Sequence, residues 1–423
     1  MTPSIKQRIE QIRRGEVPEG YKKGKLGIVP EEWNETSFST LFTSTSDYTE
    51  DLDTYPLYSL TIEDGITPKT ERYERSHLVK KEDSYKIVRP NDYAYNPMNL
   101  RFGAVARYKG DIPVAVSGYY DIFTTVYKSD LPFMDSFLTC GPMITYYNRV
   151  STGSLVEKQR VHFSQFLGFV LPLPSRKERV PIAAILTTQD KVIELKEKLL
   201  AEKQRQKKYL MQVLLTGKKR LPGFSGEWKV NRLRNIATRH TKRNTIGNTN
   251  ALTISAQYGL INQAEFFNKA VASDDKSNYF LLEKGDFAYN KSYSNGYPFG
   301  AIKRLTRYEV GIVSPLYICF RIKEGSVSGE YLEQYFEAGL MNHELQAFAQ
   351  EGARNHGLLN IAVDDFFNSK ILLPSPEEQT SIAEIFSTAD REIDLLRQDI
   401  EQEKQKKKAL MQLLLTGIVR VNE

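Results

Sequence analysis

The sequence predicts an α+β protein in which two mixed α/β domains alternate with two long helices in an internal repeat. One observation is a duplicated segment, "KKYLMQVLLTG" at 207–217, which returns as "KKALMQLLLTG" at 407–417. Another is an apolar coiled-coil seam in the residues that lead into each copy. Between the helices lie short β-like runs broken by Gly, Pro and Asn, such as 85–88, 103–108 and 309–322.

The repeat extends well beyond the quoted segment. Sliding the chain by 200 residues aligns 173–217 with 373–417 without a gap, and 20 of the 45 positions are identical, which indicates a duplication. The domains match more loosely, as in "NDYAYN" against "GDFAYN" and "RFGAVARY" against "PFGAIKRL". The predicted segments are an N-terminal helix and lead-in (1–22), a first domain (23–170), a central long helix (171–217), a second domain (218–370), a C-terminal long helix (371–417) and a tail (418–423).

Each long helix is predicted to run from an acidic first turn to a Thr-Gly stop, over about 177–215 in the first copy. Lys407 on the apolar seam and Glu403 beside it predict a polar layer that fixes the register. The stripe of the first helix is wider, which predicts that this helix buries more than one face. The predicted helix-pairing residues are Ile182, Ile193, Leu200, Leu214, Ile382, Phe386, Ile393, Leu396, Ile400 and Leu414.

A short amphipathic helix is predicted at 4–15, and no counterpart precedes the second domain. We expect this helix to pack beside the end of the second long helix. It would then bring the two ends of the repeat together.

The composition is typical of a soluble globular protein, with 40% hydrophobic and 26% charged residues. No apolar run approaches the roughly 18 residues of a membrane span, and the N-terminus lacks the apolar stretch of a secretory signal. We therefore expect a cytoplasmic protein without a membrane partner. Cys140 and Cys319 are isolated and are expected to be core thiols. The net charge of +6 permits a polyanionic partner without requiring one.

The sequence carries no complete methyltransferase or nucleotide-binding signature. "YNPMNL" at 95–100 resembles the Asn-Pro-Pro-aromatic loop of amino-methyltransferases, but Met98 and Asn99 replace the second Pro and the aromatic ring. A glycine-rich cofactor loop is missing upstream, and so is a phosphate-binding GxxxxGK[ST] loop.

Nuclease and metal signatures are equally weak. Asp190, Glu194 and Lys196 resemble a nuclease cluster, but they lie within an amphipathic helix, which favours solvated surface charge. The five histidines never reach metal-ligand spacing. We therefore predict no catalytic residue and no bound metal.

Polar and basic loops with aromatic residues occur at 67–77 and 95–103 in the first domain, and at 238–250 and 289–300 in the second. Their Asn, Ser, Arg and Lys side chains could read base edges and hold phosphates, although solvated loops of a tyrosine-rich protein have the same composition. Their occurrence at matching places in both copies favours a function. The predicted DNA-binding residues are Lys69, Arg72, Asn96, Asn99, Arg101, Lys242, Arg243, Asn290, Lys291, Tyr293, Ser294, Asn295 and Arg304.

Two variable domains alternating with two near-identical helices resemble the specificity subunit of type I restriction-modification systems. The resemblance lies in the helix entries "LPLPSRKERVPIAAIL" and "LLPSPEEQTSIAEIFS", in the exit "LLTGKKRLPGFSGEW", and in the domain starts "GIVPEEW" and "PGFSGEW". It covers essentially the whole chain. It implies that each variable domain is a target recognition domain reading one half of a bipartite, asymmetric duplex DNA site. It also implies that the helices pair antiparallel as a spacer, which gives the repeat an internal pseudo-twofold.

The same resemblance implies a set of partners. Two methyltransferase subunits would dock on the helices, and restriction or translocase subunits would join the assembled complex. The chain itself would have no catalytic activity and no cofactor, since S-adenosylmethionine, ATP and Mg²⁺ are expected on the partner subunits. Two alternatives stay open: a DNA methyltransferase with divergent motifs, and a coiled-coil scaffold that binds only proteins. Methyl transfer by the chain alone would favour the first, and sequence-selective DNA binding in the complex would exclude the second.

Overall fold

The computed structural model describes residues 3–45, 47–69, 85–155, 159–255, 258–267, 275–294, 296–348, 350–351 and 359–421. The chain forms two compact units. Unit 1 combines Met1–Glu197 with Asp399–Glu423, and unit 2 is Lys198–Gln398. Each long helix therefore contributes one part to each unit.

Unit 1 begins with a short helix and continues mainly through short strands. In chain order its elements are α1 (Pro3–Arg13), β1 (Tyr21–Gly24), β2 (Gly27–Pro30), β3 (Asn34–Ser37), β4 (Phe42–Ser44), β5 (Tyr48–Thr49), β6 (Tyr58–Thr61), β7 (Gly65–Pro68), β8 (Tyr85–Val88), β9 (Tyr93–Tyr95), β10 (Val105–Arg107), β11 (Val114–Val116), β12 (Asp121–Thr125), α2 (Leu131–Phe137), α3 (Gly141–Val150), α4 (Phe163–Leu167), β13 (Val170–Leu173) and the first part of α5 (Arg176–Leu214). Its main sheet has the antiparallel order β10-β9-β12-β4, and β11-β8-β5 forms a second sheet.

Unit 2 contains the rest of α5 and then a second run of short strands. Its further elements are β14 (Lys229–Arg232), α6 (Leu233–Ile236), β15 (Ala237–Arg239), β16 (Leu252–Ser255), β17 (Gly259–Asn262), α7 (Gln263–Phe267), β18 (Phe280–Glu283), β19 (Phe287–Asn290), β20 (Ala301–Arg304), β21 (Val310–Val313), β22 (Ile318–Ile322), α8 (Gly329–Glu337), α9 (Asn342–Phe348), β23 (Gln350–Glu351), β24 (Leu359–Asn360), α10 (Val363–Asn368), β25 (Lys370–Leu373) and the first part of α11 (Pro376–Leu415). Its main sheet has the order β20-β19-β22-β15.

The two units repeat one topology. β10-β9-β12-β4 corresponds to β20-β19-β22-β15, the hairpin β6-β7 to β16-β17, and the pair β13-β3 to β25-β14. A stacked aromatic pair lies at the same point of each main sheet, with ring centroids 5.2 Å apart for Tyr93–Phe123 and 5.1 Å apart for Phe287–Phe320. The internal repeat therefore includes the domains as well as the helices. β13 and β25 carry each domain three residues past its predicted end at 170 and 370.

Each domain core includes the start of one long helix and the end of the other. Ile182 from the start of α5 and Leu414 from the end of α11 are buried in the core of unit 1. Ile382 and Phe386 from α11, with Leu214 from α5, are buried in the core of unit 2. These five predicted pairing residues thus pack into the domains. Full burial of such a side chain stabilises the fold by roughly 1.5–3 kcal/mol.

Within unit 1 the two helices pair antiparallel through polar side chains. The Gln189 Nε2 donates to Glu403 Oε2 at 2.7 Å, and the Lys196 Nζ donates to Glu403 Oε1 at 2.9 Å. Lys407 also lies 2.5 Å from an oxygen of Asp190. These contacts confirm the predicted polar layer around Glu403 and Lys407. Asp190 and Lys196 were expected to be solvated surface charges, but they form ion pairs between the two helices.

The pairing continues in unit 2 with the same polarity. Lys203 Nζ lies 2.7 Å from Glu392 Oε2, and Lys207 Nζ lies 2.5 Å from Asp390 Oδ1. Because Lys207–Asp390 and Lys407–Asp190 are related by the 200-residue offset, the helix pair follows the internal repeat.

The apolar seam is narrower than the sequence suggests. Ile193 and Ile400 are buried in unit 1, and Ile393 is buried in unit 2. Leu200 and Leu396 are half-buried. The expectation that α5 buries a wider stripe is wrong in its middle, where Leu195 and Leu199 are 54% and 47% exposed. Among the described residues, neither a domain nor the partner helix covers these two side chains.

A buried glutamate in the first turn of α5 closes unit 1. Both oxygens of Glu178 bind the guanidinium of Arg420, at 2.6 and 2.9 Å, and the Trp33 Nε1 donates to Oε2 at 3.3 Å. The side chain of Glu178 is only 3% exposed. We call this group the first glutamate clasp.

The same group recurs in unit 2. Glu378, 1% exposed, binds the Arg220 guanidinium through two hydrogen bonds of 2.7 Å, and Trp228 Nε1 donates to it at 3.2 Å. We call this group the second glutamate clasp. Both arginines lie three residues after the glycine that ends a long helix, so the clasps are part of the duplication.

The N-terminal helix α1 lies beside the end of α11, as predicted. Its Arg8 donates to the carbonyl of Ile418 at 2.8 Å, and the guanidinium stacks over the ring of Tyr21. The Tyr21 hydroxyl in turn donates to the carbonyl of Gly417 at 2.8 Å. The start of the chain is thus attached to the segment that follows the second long helix.

We expect Arg420→Ala to destabilise unit 1 and Arg220→Ala to destabilise unit 2. Removing one partner of a fully buried ion pair costs roughly 3–5 kcal/mol. Since a third of the Arg420 side chain is exposed, we expect about 2 kcal/mol for that change. Hydrogen exchange of the strands in each unit measures the effect, with each variant serving as the control for the other. Faster exchange of the same unit in both variants would contradict the assignment.

The helix pair in unit 1 should weaken at acid pH. Hydrogen bonds from Lys196 and Gln189 lower the pKa of Glu403 to about 2, below the ordinary value of 4.5 for a glutamate. A lowered carboxyl pKa gives stability that is present above the unfolded value and is lost as pH falls through the folded value. The difference in unfolding free energy between the wild type and Glu403→Gln should therefore shrink as pH falls from about 5 to about 2. With Lys196→Met in both proteins, this dependence should be weaker; a pH-independent difference would refute the explanation.

Candidate nucleic-acid interface

Two of the predicted loops leave the main sheet of unit 2 at the same end. β15 and β19 both pair antiparallel with β22, so they run in the same direction. The loop 240–250 follows β15, and the loop 291–300 follows β19. The topology therefore brings the starts of these loops to one edge of the domain.

The corresponding arrangement in unit 1 corrects the predicted matching of loops. β4 and β9 both pair antiparallel with β12, so the segments after Ser44 and after Tyr95 leave at one end. The counterpart of the loop 240–250 is therefore the segment after β4, not the stretch 67–77. That stretch follows β7, whose counterpart is β17. The looser sequence match between the domains could not fix this register, whereas strand order does.

In the first domain the loop after β9 is folded by its own polar groups. Asn96 Oδ1 accepts from the backbone N–H of Met98 at 3.0 Å, which turns the chain directly after the strand. Gly103 ends the loop with φ +96°. Asn99 is exposed, and Arg101 donates to Gln159 at 3.1 Å. Asn96 thus has a structural role, and Asn99 is the predicted residue that is open to a ligand.

In the second domain the loop after β19 begins and ends in the same way. Asn290 Oδ1 accepts from the backbone N–H of Ser292 at 3.1 Å, and Gly300 ends the loop with φ +81°. Tyr293 is 63% exposed, while Lys291 and Ser294 are half-buried. This loop therefore presents a phenol, an ammonium and a hydroxyl within four residues, a set that can stack on bases and bind phosphates.

The loop after β15 is held by a buried asparagine. Asn244 is 5% exposed; it donates to the carbonyl of Asn248 and accepts from its N–H, both at 2.8 Å. This leaves the basic side chains on the outside. Lys242 is half exposed and lies 3.5 Å from Glu283, and Arg243 covers the ring of Phe280.

Arg304 and the arginine at the matching position of unit 1 both have a structural role. Its Nη1 lies 2.7 Å from Glu330 and 3.8 Å from Glu333, and its side chain is 19% exposed. At the matching position of unit 1, Arg107 binds Asp135 at 2.7 Å. Each arginine links an edge strand of the main sheet, β10 or β20, to the next helix in the chain. We therefore assign Arg304 a structural role and not a DNA contact.

Lys69, Arg72 and Asn295 also belong to the predicted DNA-binding residues. Lys69 is exposed, and only its backbone N–H, bonded to the carbonyl of Leu57, is fixed. Arg72 and Asn295 lie outside the described residues. Their assignment to DNA stays a prediction.

Among the described residues, no group of three or more His, Cys, Asp or Glu side chains could hold a metal ion. Cys140 and Cys319 are buried as expected, and burial raises the pKa of each thiol to about 12, so neither is a thiolate at neutral pH. In the same ranges, none of the helices has the length and apolar character needed to cross a membrane.

The loop 291–300 should depend strongly on the glycine that ends it. A Cβ at Gly300 would lie 2.2 Å from the carbonyl oxygen of Asn290, whereas a Cβ at Gly296 would have no heavy atom within 4 Å. Both residues have positive φ, so alanine at either position costs about 1–2 kcal/mol of backbone strain. We expect Gly300→Ala to lower the unfolding free energy clearly more than its matched control Gly296→Ala. Equal losses in denaturant titrations would show that the close approach does not matter.

Comparison with known proteins agrees with this architecture. The family described as "Type I restriction modification DNA specificity domain" matches residues 225–405. The crystal structure of a type I restriction-modification system S subunit from M. genitalium is similar with a TM-score of 0.52 at 12% identity, covering 93% of this chain and 99% of that chain. A structure described as "Structural basis underlying complex assembly and conformational transition of the type I R-M system" gives 0.54 at 14% identity, covering 92% and 99%. Residues 225–405 therefore match a type I restriction-modification DNA specificity domain, and nearly the whole chain shares its fold with the two solved structures.

Proposed function

We propose that each unit reads one half of a bipartite, asymmetric duplex DNA site. The observation that carries the proposal is one scaffold present twice with different loops. The strand order of the main sheet is the same in both units, and the asparagine and glycine that bound the loop after β9 recur after β19. The residues between these bounds differ, "PMNLRF" in one domain and "KSYSNGYPF" in the other. Two related readers with different contact residues fit two different half-sites.

In this proposal, the reading residues are mainly those that the fold leaves exposed. They are the exposed Asn99 and Lys69 in unit 1, and the exposed Lys242 and Tyr293 with the half-buried Lys291 and Ser294 in unit 2. Arg72 and Asn295 lie beside them in sequence. Asn96, Asn290 and Arg304 hold the loops and the scaffold in place. Arg101 and Arg243 lie between these classes, because each stacks on a neighbouring ring and also has a polar partner.

The long helices would set the gap between the two half-sites and dock two methyltransferase subunits. The continuity of α5 and α11 over 39 and 40 residues supports a spacer role, and the exposed Leu195 and Leu199 offer apolar surface to a partner. One similar structure is described in terms of complex assembly of a type I R-M system. As a specificity subunit, this chain is a recognition module. Catalysis, with S-adenosylmethionine, ATP and Mg²⁺, would belong to methyltransferase and restriction or translocase subunits.

The first test is the map of methylated sites in cells that contain this chain with its methyltransferase subunits. We expect two short, different half-sites separated by unread base pairs. A single uninterrupted motif, or two identical half-sites, would contradict the proposal. If the purified chain alone transferred methyl groups to DNA, the alternative of a divergent methyltransferase would replace it.

Single changes should then affect one half-site each. We expect Lys291→Ala and Tyr293→Ala to weaken binding through one half-site, by about 1–3 kcal/mol where a base contact is lost. Lys69→Ala should affect the other half-site. Binding of the assembled complex to duplexes with substitutions in either half is the measurement.

The matched control is Lys284→Ala. Lys284 precedes β19 at the opposite end of the strand from Lys291 and lies 2.6 Å from Glu309. It carries the same charge away from the proposed interface, so its removal should leave both half-sites recognised as before. If Lys291→Ala behaves like Lys284→Ala, the loop 291–300 is not the reader.

A further inference from the structure

Three side chains tie the reading loop of unit 2 to the scaffold. The hydroxyl of Tyr297 donates to Glu337 Oε1 at 2.6 Å, and Lys303 Nζ donates to that hydroxyl at 2.9 Å. Lys303 also forms an ion pair with Glu337, and its ammonium lies 4.7 Å from the ring centroid of Tyr297. We call these three residues the loop triangle. Each of them contacts the other two.

The loop triangle joins three separate elements. Tyr297 belongs to the loop 291–300, Lys303 to the adjoining strand β20, and Glu337 is the last residue of α8. Lys303 is 8% exposed and so the ion pair is partly protected from water. Hydrogen bonds to charged groups are stronger than those between neutral groups, so the triangle can hold the loop in one conformation.

The helix that supplies Glu337 is itself anchored. Gln334, one turn earlier on α8, donates to Asp390 Oδ2 of α11 at 3.0 Å. The other oxygen of Asp390 lies 2.5 Å from Lys207 of α5. Glu337 is therefore attached to a helix that is fixed to both long helices within unit 2, and it gives the loop a firm attachment point.

The triangle is specific to the second domain. The sequence match of 101–108 with 298–305 places Ala106 opposite Lys303 and Arg107 opposite Arg304. The arginine and its acidic partner on the next helix occur in both units, so they hold the shared scaffold. Alanine cannot form an ion pair, so the first domain folds the same sheet without the lysine of the triangle. The scaffold alone therefore does not require the triangle.

We propose that Glu337, with Lys303 and Tyr297, positions the loop 291–300 for its half-site and so determines selectivity there without touching DNA. This inference rests on the proposed function of the loop. A loop already ordered before binding loses less conformational entropy on the DNA and presents its side chains in one register. In a loosened loop, Lys291 could still bind the phosphates, but the base contacts would discriminate less between base pairs.

The test uses the full chain in complex with its methyltransferase subunits. Tyr297→Phe removes one hydroxyl and keeps the ring, and Glu337→Gln removes the charge. For each variant, binding to the cognate duplex is compared with binding to duplexes that carry one changed base pair in either half-site. We expect discrimination at the half-site read by unit 2 to fall about tenfold, corresponding to about 1.4 kcal/mol, and discrimination at the other half-site to stay unchanged. Amide exchange of 291–300 should become faster in the same variants.

The control for a merely structural effect is Glu330→Gln. Glu330 lies on the same helix and binds Arg304 at 2.7 Å, outside the loop triangle. This change should lower the unfolding free energy without changing discrimination. If Tyr297→Phe and Glu337→Gln also leave discrimination unchanged, the inference is wrong.

The outcomes for the loop and for the triangle are separable. If Lys291→Ala changes recognition of a half-site but the triangle variants do not, the positioning role fails and the proposed function stands. If Lys291→Ala and Tyr293→Ala have no effect on either half-site, the proposed function of this loop is wrong, and the inference about the loop triangle is wrong with it. Loss of discrimination at both half-sites in Tyr297→Phe would also overturn the inference, because the triangle lies within one unit.

Discussion

The two buried glutamates, Glu178 and Glu378, are the interaction on which the rest of the structure depends. Each lies in the first turn of a long helix, where the helix dipole favours a negative charge, and each is almost fully buried. A carboxylate in such a place must be paired, and here its partners are a tryptophan of the domain and an arginine that follows the other long helix. The clasp therefore requires the end of one long helix to meet the start of the other. Antiparallel pairing of the helices satisfies this condition in both units.

The two units have similar folds, but one is built from a single segment of the chain and the other from two. Unit 2 is the continuous stretch Lys198–Gln398, whereas unit 1 needs Asp399 and the residues that follow it. Leu414 and Leu415 lie in the core of unit 1, and Arg420 completes its clasp. Unit 1 can therefore finish folding only when the chain on the far side of unit 2 is present.

The long helices could be predicted from the sequence because their apolar residues are periodic. The features that depend on strand order could not. The 200-residue repeat located both long helices to within a residue or two and identified the polar layer at Glu403, because helix periodicity is local information. The clasps were not predicted, because Arg420 and Glu178 are 242 residues apart. In the sequence, nothing distinguishes either residue from an ordinary surface charge. The loop matching failed for a related reason, since short strands with gaps between them do not fix which loop follows which strand. The structural role of Arg304 became visible only beside Arg107, where the shared ion pair to the next helix appears.

If each unit reads DNA as proposed, its scaffold must stay the same while its contact residues change, and the two loops indicate how that is done. Six residues separate Asn96 from Gly103, and nine separate Asn290 from Gly300. The shorter loop packs on α3, where Asn148 donates to the carbonyl of Arg101 at 2.7 Å. A longer loop has more conformations to lose when it is ordered, and so it needs a further attachment. Tyr297 supplies that attachment by reaching Lys303 and Glu337. In the proposed function, an extended loop therefore needs an attachment as well as contact residues, because without the attachment it would bind DNA with less selection among sequences.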